Sequence, residues 1–128
     1  MNSKQPLIIC IDDDIDALKV LTSMLKTEDY NVMCTTDPDV FFEYFKLHEV
    51  DLAILDVEIP QKSGYELSDE IRNKPGYPNI PIVFLSAHQN DGDKLQGFFS
   101  GANEYLTKPV TRELLLDTVK KLLEHNSQ

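Results

Sequence analysis

Short apolar runs alternate with longer stretches of helical spacing along the whole chain. The runs are Leu7–Ile11, Asn31–Cys34, Leu52–Leu55, Ile82–Leu85 and Tyr105–Thr107, each close to typical strand length. Between them, Ile15, Leu18, Leu21 and Leu25 form one helical stripe, and Phe41, Tyr44 and Phe45 mark a second. A third stretch follows the capping-box pattern Ser63-Gly64-Tyr65-Glu66 and runs through Leu67 and Ile71. The fourth carries Leu95, Phe98, Phe99 and Ala102, and the last Leu115, Val119, Leu122 and Leu123.

Local chemistry marks the boundaries. Asp37-Pro38 supplies an N-cap and a proline at the first helical position, and Thr111 caps the final helix. Lys74-Pro75-Gly76-Tyr77-Pro78 ends the third helix, because proline cannot continue the hydrogen-bond ladder. Five strands alternating with five helices predict one α/β domain over residues 1–128, with a parallel sheet covered on both faces. The sequence contains no internal repeat or low-complexity segment.

Composition narrows the function classes. Of 128 residues, 41% are hydrophobic and 27% charged, enough apolar material for a core and unlike a disordered chain. Twelve Lys and Arg stand against 22 Asp and Glu, a formal net charge of −10. That charge argues against nonspecific binding to nucleic acid or an anionic membrane. No segment approaches the roughly 20 apolar residues that span a bilayer. The first apolar run ends in Asp12-Asp13-Asp14, unlike a signal peptide. Cys10 and Cys34 lie inside strand-like runs without CxxC spacing, as buried reduced thiols would. A soluble cytoplasmic protein is expected.

In a parallel sheet the strands end on one edge, where ligands bind. The strand ends carry Asp12-Asp13-Asp14, then Asp56 followed by Val57-Glu58-Ile59-Pro60, then Ser86-Ala87, then Lys108-Pro109. If the first and third strands are neighbours, their ends lie about 5 Å apart. Two carboxylates about 4 Å apart repel by roughly 4 kcal/mol at an effective dielectric near 20. Such a cluster raises a pKa or recruits a cation. Hard carboxylate oxygens with no His or Cys beside them suit Mg²⁺, or Mn²⁺, rather than zinc. A divalent ion, a lysine and a hydroxyl around one further carboxylate make a phosphoryl-handling site, with that carboxylate as nucleophile.

With these residues in view, the sequence resembles the response-regulator receiver domains of the CheY-like family over essentially its whole length. The resemblance rests on Ile8-Ile9-Cys10-Ile11-Asp12-Asp13-Asp14 and on Asp51-Leu52-Ala53-Ile54-Leu55-Asp56 with Pro60 and Gly64. It continues in Pro81-Ile82-Val83-Phe84-Leu85-Ser86-Ala87 and in Gly101-Ala102-Asn103-Glu104-Tyr105-Leu106-Thr107-Lys108-Pro109. It implies a flavodoxin-like (βα)5 fold of strand order 2-1-3-4-5. Asp56 is then the phosphoacceptor, while Asp12 and Asp13, with Asp56 and the Glu58 backbone carbonyl, hold Mg²⁺. Ser86 hydrogen-bonds one phosphoryl oxygen and Lys108 pairs with another. Tyr105 is the aromatic switch residue, and the Lys108–Pro109 bond is expected cis.

The implied function is a signalling switch rather than an enzyme. A histidine kinase or histidine phosphotransfer protein is the donor. An effector domain or protein, or a second copy of the chain, binds the face of the fourth helix, fifth strand and fifth helix, where Phe98, Phe99 and Tyr105 supply contact area. Two departures from the family pattern are Glu58, a charge beside the acceptor, and Ile59, where Met is frequent. His88 is read as a solvated loop residue. Haloacid-dehalogenase-type phosphatases use similar groups, but there the nucleophile follows the first strand and the acidic pair comes late. A pseudo-receiver that only binds partners would lack a key group, and all are present.

Overall fold

Each of the five apolar runs forms a strand in the computed structural model, which describes residues 5–77, 79–87 and 103–126. The strands are β1 (Leu7–Ile11), β2 (Asn31–Thr35), β3 (Leu52–Asp56), β4 (Ile82–Ser86) and β5 (Glu104–Thr107). They make one sheet of order β2-β1-β3-β4-β5 with every neighbouring pair parallel. This is the order the family resemblance implied. The described helices are α1 (Ile15–Leu25), α2 (Pro38–Leu47), α3 (Gly64–Arg72) and a C-terminal helix (Arg112–Asn126). The fourth helical stretch, with Leu95, Phe98, Phe99 and Ala102, lies outside the described residues, as does His88.

Successive strand residues point to opposite faces, and each face has its own core. Ile9, Ile11, Ala53, Leu55 and Phe84 pack with Phe41 and Phe45 of α2 and Leu67 and Ile71 of α3. Ile8, Cys10, Ile54, Val83 and Leu85 pack with Leu18, Leu21 and Leu25 of α1 and Leu115 and Val119 of the C-terminal helix.

The helix starts are built as the sequence suggests. Asp37 accepts from the Asp39 N–H at 2.8 Å, and Thr111 from the Leu114 N–H at 3.1 Å. Ser63 and Glu66 form both halves of a capping box at 3.2 Å each. After α3, the Tyr77 N–H donates to the Lys74 carbonyl at 3.1 Å, closing a turn over Pro75 and Gly76. Gly76 has φ of 90°, which a side chain would resist. Asn103 then fastens β4 to β5. Its Oδ1 accepts from the Ile82 N–H at 2.9 Å and from Arg72 at 3.1 Å, while its own N–H donates to the Ile82 carbonyl at 2.8 Å.

The structure moves some boundaries. β2, β3 and β4 each extend one residue beyond the apolar run, since the backbone ladder needs no apolar side chain. Asp56 is thereby paired with Leu85, and Ser86 with Thr107, inside the sheet. Ile15 leaves the buried stripe: it is 59% exposed, because the first turn of α1 stands at the rim of the sheet. Cys34 is half-buried rather than buried, because β2 is an edge strand. Among the described residues, no helix is long and apolar enough to cross a membrane.

Candidate functional site

β1 and β3 are neighbours, and the pair Ile11–Leu55 sets the register at their ends. One step further, Asp12 follows β1 beside Asp56, the last residue of β3. Both carboxylates are buried, with exposures of 1% and 3%, while Asp13 is exposed. Carboxylate oxygens of Asp12, Asp13 and Asp56 lie within 4.8 Å of one another. Lys108, just after β5, completes the group: its Nζ stands 2.9 Å from Asp12 Oδ2 and 3.6 Å from Asp56 Oδ1. The Lys108–Pro109 bond is cis, as expected.

The backbone holds these side chains in place. The Asp14 N–H donates to Asp12 Oδ1 at 2.9 Å, while the Asp14 side chain caps α1 by accepting from the Asp16 N–H. The Asp12 N–H reaches the Thr35 carbonyl at 3.4 Å, and the Lys108 N–H donates to the Ser86 carbonyl at 2.7 Å. The Glu58 N–H donates to Asp56 Oδ1 at 3.2 Å, and the Glu58 residue itself is exposed. Beneath Asp56, the Gly64 N–H donates to the Val57 carbonyl at 3.0 Å. A Cβ on Gly64 would come within 2.6 Å of the Asp56 carbonyl oxygen, so only glycine fits unless the loop moves.

Charge in the pocket is unbalanced. Burial pushes the Asp56 carboxyl from 3.8 up to about 6; the Glu58 N–H opposes this, the Asp12 charge adds to it and Lys108 reduces it. Burial pulls the Lys108 ammonium down, but its hydrogen bond to Asp12 and the charges of Asp56 and Asp12 outweigh that and raise it. Among the described residues, three carboxylates face one ammonium. Their oxygen-only donor set and excess negative charge fit a hard divalent cation such as Mg²⁺.

The remaining site residues sit on β4 and β5. Ser86 is fully buried at the end of β4, one residue beyond the partner of Asp56. Tyr105 is buried at 7% exposure. Its ring meets Phe84 edge-on at 6.2 Å, and Phe84 in turn meets Tyr65 at 5.0 Å. Sequence reasoning missed Tyr65 as the neighbour of Tyr105, and the Thr35 carbonyl behind Asp12. Neither contact leaves a signal in local periodicity. In the sequence Gly64 stands only as part of the capping pattern and the family match; the close approach under Asp56 is what the structure adds.

The chain matches the family model described as the response regulator receiver domain over residues 8–120. Among solved structures it is similar to the chemotaxis protein CheY4 of Vibrio cholerae, at 26% identity and a TM-score of 0.89, over 94% of this chain and 100% of that chain. It is also similar to the signal receiver domain of a signal transduction histidine kinase from Syntrophus aciditrophicus, at 25% identity and a TM-score of 0.85, over 94% of this chain and 91% of that one. The BeF3-activated DrrB receiver domain matches at 30% identity with a TM-score of 0.85, over 94% of this chain and 99% of that chain. A parallel sheet of this order, an acidic pocket with a lysine at its carboxyl edge and the match over 8–120 agree: the chain belongs to the response regulator receiver domain family, a signalling module rather than a classical enzyme.

Proposed function

We propose that residues 1–128 form one receiver domain in which Asp56 accepts a phosphoryl group from the phosphohistidine of a histidine kinase or histidine phosphotransfer protein. The observation that carries this reading is the placement of Lys108 Nζ, 2.9 Å from Asp12 and 3.6 Å from Asp56. A cation fixed between the acidic pair and the acceptor is suited to meet charge that arrives on Asp56. A carboxylate oxygen of Asp56 attacks phosphorus, a P–O bond forms, and the P–N bond to the donor imidazole breaks. Asp12, Asp13, Asp56 and the Glu58 backbone carbonyl would hold Mg²⁺ (or Mn²⁺), which supplies charge neutralisation at the phosphoryl oxygens.

Lys108 exchanges part of its contact with Asp12 for a phosphoryl oxygen, and the Ser86 hydroxyl turns to another. Movement of Ser86 alters the packing around Tyr105, and with it the face to which β5 and the C-terminal helix contribute. That face binds an effector domain or protein, or a second copy of the chain. Phosphorylation shifts the face only by its differential contacts with the two states, so partner affinity and phosphorylation are coupled reciprocally. A phosphatase of the haloacid-dehalogenase type is disfavoured by chain order, with the acidic pair after β1 and the acceptor on β3.

Acetyl phosphate or phosphoramidate with Mg²⁺ is expected to add one phosphoryl group at Asp56, labile to base and to hydroxylamine. Asp56→Asn removes it, since an amide is a poor nucleophile. Modification at a serine or histidine instead would overturn the reading.

A further inference from the structure

Cys10 and Cys34 are register partners on the adjacent parallel strands β1 and β2. Neighbouring strands lie about 4.8 Å apart, inside the Cα–Cα range of about 4.4–6.8 Å that a disulfide spans. Both residues belong to the core layer beneath α1, so their side chains leave the sheet on the same face. Both are free thiols.

The two differ in access. Cys10 is fully buried, whereas Cys34 is half-buried and opens on a surface groove of about 470 Å³, lined also by Ile15, Thr22 and Thr35. Thr22 Oγ1 stands 3.0 Å from Cys34 Sγ, placed to donate to a thiolate there. The hydrogen bond from Cys10, then that from Thr22 and the charge of Lys26, bring the Cys34 thiol down to about 7 against the effect of burial. A low, reachable thiol with a second thiol directly behind it is the arrangement of an attacking and a resolving cysteine.

We propose that Cys34 and Cys10 form a peroxide-responsive pair that closes an intrachain disulfide between β2 and β1. The Cys34 thiolate attacks one oxygen of hydrogen peroxide; an S–O bond forms, the O–O bond breaks, and the departing hydroxide takes a proton to leave as water. The Cys10 sulfur then attacks the Cys34 sulfenic acid. An S–S bond forms, the S–O bond breaks, and the hydroxyl leaves with the Cys10 proton as a second water. Two thiols lose two electrons and one peroxide gains them.

The test uses the reduced full chain and an equimolar amount of hydrogen peroxide. Intact mass under non-reducing conditions is expected to fall by two hydrogen atoms in a monomer, and dithiothreitol restores it. Peptide mapping then joins the Cys10 and Cys34 peptides. In Cys10→Ala, dimedone labels Cys34. In the native reduced wild type, iodoacetamide modifies Cys34 at least about tenfold faster than Cys10. Thr22→Val, which leaves both cysteines in place, slows Cys34 alkylation by about threefold. Disulfide-linked dimers, sulfinic acid on Cys34 with Cys10 still reduced, or equal alkylation rates at the two positions would each overturn the proposal.

Discussion

The hydroxyl oxygens of Tyr65 and Tyr105 stand 3.4 Å apart, linking the first turn of α3 to β5 across the edge of Phe84. Tyr105 is thus held among side chains rather than in water. Tyr65→Phe keeps the ring contacts and removes the hydroxyl. It is expected to cost about 1 kcal/mol, the usual net worth of a neutral hydrogen bond. Urea unfolding measures the loss, and tetranitromethane should modify Tyr105 faster in the variant. Phosphorylation of Asp56 by acetyl phosphate should change little.

Gly64→Ala addresses Asp56 from below. The added methyl group would meet the Asp56 carbonyl oxygen at 2.6 Å and the Val57 Cα at 3.0 Å, both backbone atoms that cannot swing aside. Overpacking of this kind costs about 1–3 kcal/mol. Relief requires the turn after β3 to shift, which carries the Asp56 carboxylate away from Lys108. Expected results are a lower unfolding midpoint together with slower phosphorylation from a small donor at fixed Mg²⁺.

In the metal-free protein, the Asp56 carboxyl holds its proton up to about pH 6 when folded and to about 3.8 when unfolded. The folded state therefore binds the extra proton in that interval, and stability falls as pH rises through it. The whole gap corresponds to about 3 kcal/mol, which water reaching the pocket reduces to about 1–2 kcal/mol. Asp56→Asn has the same shape and no charge. With a chelator present, its advantage over the wild type should grow from near zero at about pH 4 to about 1–2 kcal/mol at pH 7. Parallel stability profiles would contradict this.

Mg²⁺ should offset the same crowding. With few protein ligands and several retained waters, binding is expected at about 1 mM. A tenfold excess over that value then stabilises the fold by about 1.4 kcal/mol. Asp13→Asn removes one of the three carboxylates while leaving both buried acids in place. Thermal melts with and without Mg²⁺ should show a rise for the wild type and a much smaller one for the variant.

The strands were legible because each apolar run is bounded by turn residues and too short to be a helix. Periodicity placed Leu18, Leu21, Phe41, Leu67 and Val119 correctly in the core. It failed for Ile15, since a helical stripe does not say where the sheet beneath it ends. It also failed for Cys34, because the apolar pattern of a run does not show that its strand lies at an edge. The acidic pocket was legible in kind: strand-end carboxylates and a strand-end lysine suffice to suggest it. Its buried geometry was not, because the Asp56–Leu85 pairing, the support of Asp12 by Thr35 and the contact of Tyr65 with Tyr105 join segments far apart in the chain.

At the other rim, Tyr77 donates its hydroxyl hydrogen to the His48 carbonyl at 3.1 Å and accepts from the Val50 N–H at 3.4 Å. Its ring closes edge-on against Phe45 at 4.9 Å. One side chain thus rivets the loop entering β3 to the loop leaving α3. The sheet is like a fan pinned at its base. Its tips carry the acidic pocket, while its roots keep the blades in order. Heat or denaturant applied to a Tyr77→Phe chain should loosen the base first, leaving the chemistry at the tips intact until the whole fan opens.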